Sequence, residues 1–168
     1  MSASSVTALI GVVNFVATLI GLAFLVCAGR RTLMLWFNSA MTLTLLLLAV
    51  FSFAANTVAI VICVLLFIAF FEFSSGVIIF LYLAEIMQDK ALSIAIFLNW
   101  MGCLAVSISI PYVVRAVAVG YVFLFFGVCT LLGTVFVFFF MVETRGKTQA
   151  EIDKAYEDSE ETTDVDAD

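Results

Sequence analysis

A single carboxylate, Glu72, stands in the otherwise uncharged run from Thr57 to Ala84, a stretch apolar enough to lie in hydrocarbon. A carboxylate at membrane depth is costly unless it is paired, protonated or hydrated. No Lys or Arg occupies a helix interior of this chain, so the compensation must come from water, a proton, a neighbouring hydroxyl such as Ser75, or a hydroxyl-rich ligand. That set describes a polar binding site. The next carboxylate along the chain, Glu85, is thirteen residues on, about 20 Å away along a helix, so the two cannot act on one substrate atom.

The remaining inventory points away from catalysis. The chain has no His, which excludes Ser/His and Cys/His nucleophile pairs, and no GxSxG, HExxH or phosphate-cradling glycine loop occurs. Cys27, Cys63, Cys103 and Cys129 are scattered one to a helix without metal-site spacing, and read as small apolar packing residues. Cys27 borders two arginines, where S-palmitoylation is the chemistry to consider. We expect no enzyme, no cofactor, no metal and no nucleic-acid partner.

The elements that must position Glu72 follow from composition. Of 168 residues 65% are hydrophobic, 12% are charged and 18 are Phe, with a mean hydropathy of +1.24; a soluble domain of this size cannot hide so much apolar surface. The expected class is an all-α membrane protein with about five transmembrane helices, over windows of about 7–28, 33–55, 57–84, 91–114 and 119–141, each near the roughly 20 residues a span requires. Residues 1–7 lack the basic n-region of a signal peptide, so the first window is expected to stay as a helix.

Charge sets the expected topology. Nine of the thirteen acids lie in residues 151–168 with one Lys, and residues 1–150 carry +2, so the acidic pI reports a tail. Arg30 and Arg31 follow the first span directly, and the positive-inside bias puts residue 1 outside and the C-terminus in the cytosol. Five spans then place Lys90, Arg145, Lys147 and Lys154 inside with the pair, and only Arg115 outside. We expect residues 1–149 to form the bundle and residues 150–168 an acidic cytosolic tail, amphipathic at its start and disordered beyond.

Polar residues recur sparsely at helical spacing: Gly11, Asn14, Thr18 and Gly21 in the first span, Glu72, Ser75 and Gly76 in the third, Asn99, Gly102 and Ser109 in the fourth, Gly127, Thr130 and Thr134 in the fifth. Such stripes turn away from lipid. For the glycines and threonines helix packing explains them, with Asn or Thr hydrogen-bonding across the contact.

Asn14 in GVVNFVATLIG, AGRRTL at 28–33, the FE…G…FLYLAEI pattern at 71–86, LNW at 98–100 with Pro111-Tyr112, and VETRGKTQAEI at 142–152 fall in an order and spacing that resembles the C-terminal half of major facilitator superfamily sugar porters, from the eighth to the twelfth of twelve helices. The resemblance implies sugar transport, with Asn14, Glu72, Phe80, Asn99 and Trp100 lining the sugar site. Carbohydrate hydroxyls suit a carboxylate and amides, while aromatic rings pack on the C–H face. It also implies a cytosolic gate network of Arg30, Arg31, Glu85, Glu143 and Arg145 that ties inner helix ends together in one access state.

The chain departs from that pattern in identifiable places. The family's GPxxW is here Gly76-Val77-Ile78-Ile79-Phe80, which removes a proline that breaks helix hydrogen bonding and an indole N–H donor. Val26 stands where an acid usually precedes AGRR, and PET is Val142-Glu143-Thr144. Alternating access rocks two six-helix halves about a midplane site, and five helices supply less than one half. The expected partners are the lipid bilayer, a hexose once the missing helices are supplied, and a companion transporter half; a truncated form would not transport alone. The alternative is a small non-transporting multi-pass membrane protein that interacts through its polar stripes and acidic tail.

Overall fold

The computed structural model describes residues 3–148 and 150–156, without the side chains of residues 3, 4, 6, 26 and 27. The expectations placed on Cys27, Val26 and the tail beyond residue 156 lie outside the described residues. The described residues form the helices α1 (Ala3–Cys27), α2 (Arg30–Phe53), α3 (Thr57–Phe73), α4 (Ile78–Ile86), α5 (Asp89–Ala116) and α6 (Val119–Phe140), followed by a short helical stretch over 150–156. Five spans are long and apolar enough to cross a membrane: Thr7–Leu25, Arg30–Phe53, Thr57–Ile86, Asp89–Ala116 and Val119–Phe140. Helix is the expected state of such windows, because hydrocarbon offers no partner for backbone N–H and C=O groups. Pro111 sits inside α5, which continues through it to Ala116.

Short turns join these helices. Asn56 caps α3 by accepting from the Ala59 N–H at 3.2 Å, and Ala55 before it takes a positive φ of 52°, so the α2–α3 turn closes in three residues. One span departs from expectation. Loss of the family's proline predicts an unbroken third helix, yet the helix stops at Phe73 and restarts at Ile78.

α2 is the centre of the bundle. Half of its span is buried, against 11% for the α1, α3–α4 and α6 spans and none of α5. α6 and α3 pack along α2, and α1 packs along α3. The core has two parts. Leu25, Leu33, Met34, Ile78, Tyr82 and Met141 form one at the Arg30 end, and Leu45, Leu48 and Cys63 form the other, flanked by Phe67, Phe123 and Phe126. Between them Phe24, Phe37 and Phe73 meet from α1, α2 and α3 with ring centroids 5.2–5.8 Å apart, contacts worth about 0.5–1.5 kcal/mol each beyond burial. Phe73 follows Glu72, so this cluster fixes the last turn of α3.

Gly127 and Gly120 let α6 approach α2. A Cβ on Gly127 would lie 3.1 Å from Leu46, and one on Gly120 2.7 Å from the Phe53 ring. The threonines of the same stripe behave otherwise than expected: Thr130 and Thr134 donate to carbonyls four residues back in their own helix, as Ser109 does in α5. Backbone carbonyls within one helix satisfy these hydroxyls without a cross-helix partner.

Candidate functional site

Glu72 occupies the last turn of α3, facing α1. Its Oε1 accepts from Asn14 Nδ2 at 2.7 Å, and its Oε2 accepts from Thr18 Oγ1 at 2.9 Å. Asn14 and Thr18 are one helical turn apart on α1, so one face of that helix presents an amide and a hydroxyl to the two carboxylate oxygens. Two glycines permit the approach. A Cβ on Gly21 would lie 3.1 Å from the Glu72 carbonyl oxygen, and one on Gly76 would lie 2.9 Å from Glu72 Oε2.

The structure therefore brings Asn14 and Glu72 together and leaves the other three sugar-site candidates apart. Phe80 lies on α4, beyond the break, and is partly exposed. Its expected position, a helical repeat beyond Glu72, is altered by the irregular residues 74–77. Asn99 and Trp100 lie on α5, which buries none of its residues, and Trp100 is 63% exposed. Among the described residues no hydrogen bond or ring contact joins these two to Glu72. An apolar groove of about 500 Å³ runs between α5 and α6, lined by Val106, Val113, Tyr121 and Phe125, and contains none of the five.

The basic end is a hydrogen-bonded network, although the buried Nε atoms of Arg30 and Arg31 find no partner among the described residues. Arg30 Nη2 pairs with Glu85 Oε1 at 3.0 Å, with both side chains about four-fifths buried, and Glu85 Oε2 accepts from the Thr144 hydroxyl. Arg31 Nη2 donates to the Phe138 carbonyl at 2.7 Å. Glu143 reaches the network by a route the sequence did not suggest, since its oxygens accept the backbone N–H groups of Arg30 (2.8 Å) and Arg31 (3.2 Å). It thus caps the start of α2, where N–H groups lack helical partners and the helix dipole favours an anion. Gly29 makes room: a Cβ there would stand 2.2 Å from Glu143 Oε2. Arg145 joins through its own N–H, which donates to Glu143 Oε1 at 3.1 Å.

Sequence reasoning missed several members. Thr18 was assigned to packing and is a direct partner of Glu72. Asn38 and Ser74, 6% and 0% exposed, form a buried polar contact between α2 and the break; the signal was an Asn in the middle of an apolar α2. Tyr82 accepts from the Val142 N–H at 3.1 Å and meets the Tyr156 hydroxyl. Through that contact and the buried Ile152, the helical residues 150–156 dock on the bundle. Thr148 begins that segment: its N–H and hydroxyl reach Glu151 Oε2 at 2.7 and 2.9 Å. These bonds hold the Glu151 carboxyl below its ordinary pKa, the backbone N–H contributing most.

Residues 1–156 match the family described as sugar (and other) transporter, and the chain belongs to that family. It is 33% identical over 160 residues to the facilitated trehalose transporter Tret1 of Drosophila grimshawi, covering 88% of this chain and 17% of that protein. It is 34% identical over 155 residues to the human solute carrier family 2, facilitated glucose transporter member 4, covering 87% and 30%. The inward-open xylose transporter XylE from E. coli superposes with a TM-score of 0.83 at 25% identity, over 89% of this chain and 35% of that structure. The chain thus spans about a third or less of the length of these relatives.

Proposed function

We propose that this chain is part of the C-terminal half of a major facilitator sugar transporter, its five spans standing for the eighth to twelfth helices, and that Asn14 and Glu72 belong to the sugar site. The observation that carries this reading is a carboxylate inside an apolar span that accepts from an amide and a hydroxyl. Among the described residues no cation pairs with it, so it keeps acceptor capacity for sugar hydroxyls. Phe80, Asn99 and Trp100 complete the site once the rest of the transporter, from a longer chain or a companion polypeptide, closes over α5. Arg30, Arg31, Glu85, Glu143 and Arg145 form the gate network on the cytosolic side, residue 1 lies outside, and a hexose or related sugar is the substrate class. Transport itself requires the remaining helices.

A second reading is favoured by the protein donor on each Glu72 oxygen: the same contact would be a clasp between α1 and α3 in a non-transporting membrane protein. Fusion of this chain behind the first seven helices of a related sugar porter separates the two. A binding role predicts graded loss of sugar affinity, Glu72→Ala worse than Glu72→Gln, with surface expression unchanged or raised because a costly carboxylate has gone. Normal half-saturation in Glu72→Ala, together with lost expression, would establish the clasp instead.

A further inference from the structure

The break at residues 74–77 has no proline and falls on the Gly/Ser step Ser74-Ser75-Gly76, which weakens a helix locally without fixing how it breaks. Pro111 is the only proline in the chain, and Gly76 is not among the residues with positive φ. Sharp irregularities in helices otherwise trace to Gly/Ser pairs, π-type bonding or an inserted side chain. Here the backbone bonding changes step: Ser74 N–H and Gly76 N–H both reach the Phe71 carbonyl, at 3.2 and 2.8 Å, before Ile78 N–H resumes normal spacing to Ser74 at 2.9 Å. Ser74 carries φ −117° and ψ −93°, well outside helix.

A side chain from α2 meets this step. Ser74 Oγ lies 2.8 Å from Asn38 Oδ1 and Ser75 Oγ lies 3.4 Å from the same atom, while Ser74 Oγ is also 3.3 Å from Met34 Sδ. Ser74 is fully buried and Asn38 nearly so. The contrast with other hydroxyls in the chain is informative. Ser39, Thr42, Thr44, Ser93, Ser109, Thr130 and Thr134 all donate to the carbonyl four residues back, the default for a hydroxyl in a membrane helix. Ser74 and Ser75 instead turn to Asn38. In the low-dielectric interior a hydroxyl without a partner is costly, so the carbonyl of Asn38 competes directly with continuation of the helix.

We propose that Asn38 is a positioning residue: its side-chain carbonyl draws the Ser74 and Ser75 hydroxyls across to α2 and holds the third span broken. The break sets the relation of α3, whose last turn carries Glu72, to α4, which carries Phe80 and Glu85. An unbroken helix would rotate Ile78 and Tyr82 out of the core they share with α2. The clamp's bearing on a sugar rests on the proposed site; the clamp itself does not.

Hydrogen exchange read by mass spectrometry over residues 71–80, with the full chain in lipid nanodiscs, tests this without any ligand. Asn38→Leu lets the span close into regular helix and slows exchange in that segment by roughly tenfold or more, since regular helix protects what irregular backbone exposes. Ser74→Ala with Ser75→Ala does the same from the other side. Ser75→Pro added to Asn38→Leu reinstates the break and returns exchange at the neighbouring amides to the wild-type rate; none of the break's described backbone bonds uses the Ser75 N–H. Faster or unchanged exchange in Asn38→Leu, or no recovery with Ser75→Pro, overturns the proposal and makes the cluster packing only. If Asn38→Leu does not fold, the serine double variant decides, and failure of both without proline rescue is likewise a refutation. Loss of sugar affinity in Glu72 variants leaves this result untouched, so the two readings fail separately.

Discussion

Asn14 holds Glu72 from the neighbouring helix, its Nδ2 2.7 Å from Oε1, across 58 residues of sequence. A hydrogen bond between side chains contributes about 0.5–1.5 kcal/mol net, and removing one partner leaves the other unmatched. Asn14→Leu should therefore lower the unfolding midpoint of the detergent-solubilised chain more than Asn14→Leu with Glu72→Leu does. A double-mutant cycle by thermal melting reads this directly, and purely additive effects would mean that the contact has no coupling energy.

Gly76→Ala should displace the Glu72 carboxylate, because the new Cβ would sit 2.9 Å from Oε2, the oxygen that Thr18 holds. The Thr18 bond is lost first while the Asn14 bond survives, at a cost of about 1 kcal/mol. Thr18→Val should then add little in the Gly76→Ala background. Full additivity of the two substitutions in melting temperature would contradict this geometry.

Gly29→Ala and Glu143→Gln should resemble one another. The first expels the Glu143 carboxylate from the start of α2, since the added Cβ would lie 2.2 Å from Oε2, and the second removes its charge. Each should cost about 1–2 kcal/mol, the range of a lost cap and dipole contact. In the double variant the total should stay near that of either alone. Two independent losses would show that Glu143 does not act as the cap.

The segment 150–156 should respond to acid. Thr148 holds the Glu151 carboxyl below its ordinary pKa, so the contact's stabilisation is present above the unfolded carboxylate pKa and is lost as pH falls through the depressed folded value. Glu151 is exposed, so the effect is local and small. Amide exchange over residues 150–156 should accelerate, beyond the intrinsic pH effect, as pH drops below the ordinary carboxylate range. Glu151→Gln should lack that dependence.

If residue 1 lies outside and the tail in the cytosol, as we propose, an impermeant protease added to intact cells should spare an epitope placed after residue 156. Digestion of the epitope while the membrane stays sealed would reverse the orientation. The expectation rests on six basic residues on one side and Arg115 on the other.

The extent of the spans was legible because hydropathy over some 20 residues is a collective signal that no single side chain can overturn. The contact of Asn14 with Glu72 was also foreshadowed, as two polar stripes in hydrocarbon must find protein or water. The break at 74–77 was not, since proline is the local cue for a broken helix and the partner we propose for it lies 36 residues away, at Asn38 in α2. The role of Glu143 was hidden for a related reason. An acid near two arginines suggests pairing of side chains, whereas it is the peptide N–H groups of Arg30 and Arg31, invisible as residue types, that bind it. The exposed position of Asn99 and Trp100 reflects the isolation of α5, which buries none of its residues, and no local pattern in the sequence reports which long-range neighbours a helix has.

The cap on α2 also orders events in time. Arg30 and Glu143 are separated by 113 positions, so at ~5–20 residues per second the ribosome needs about 6 to 23 s after making the start of α2 before its partner exists. Through that interval α2 sits in the membrane with its first N–H groups facing headgroups or water, and four further helical segments are inserted. The closure of α2 then waits for the return of the chain after α6 to the place where α2 began, and any nascent chain stopped short of Glu143 lacks both that closure and the Thr144 hydroxyl that steadies Glu85.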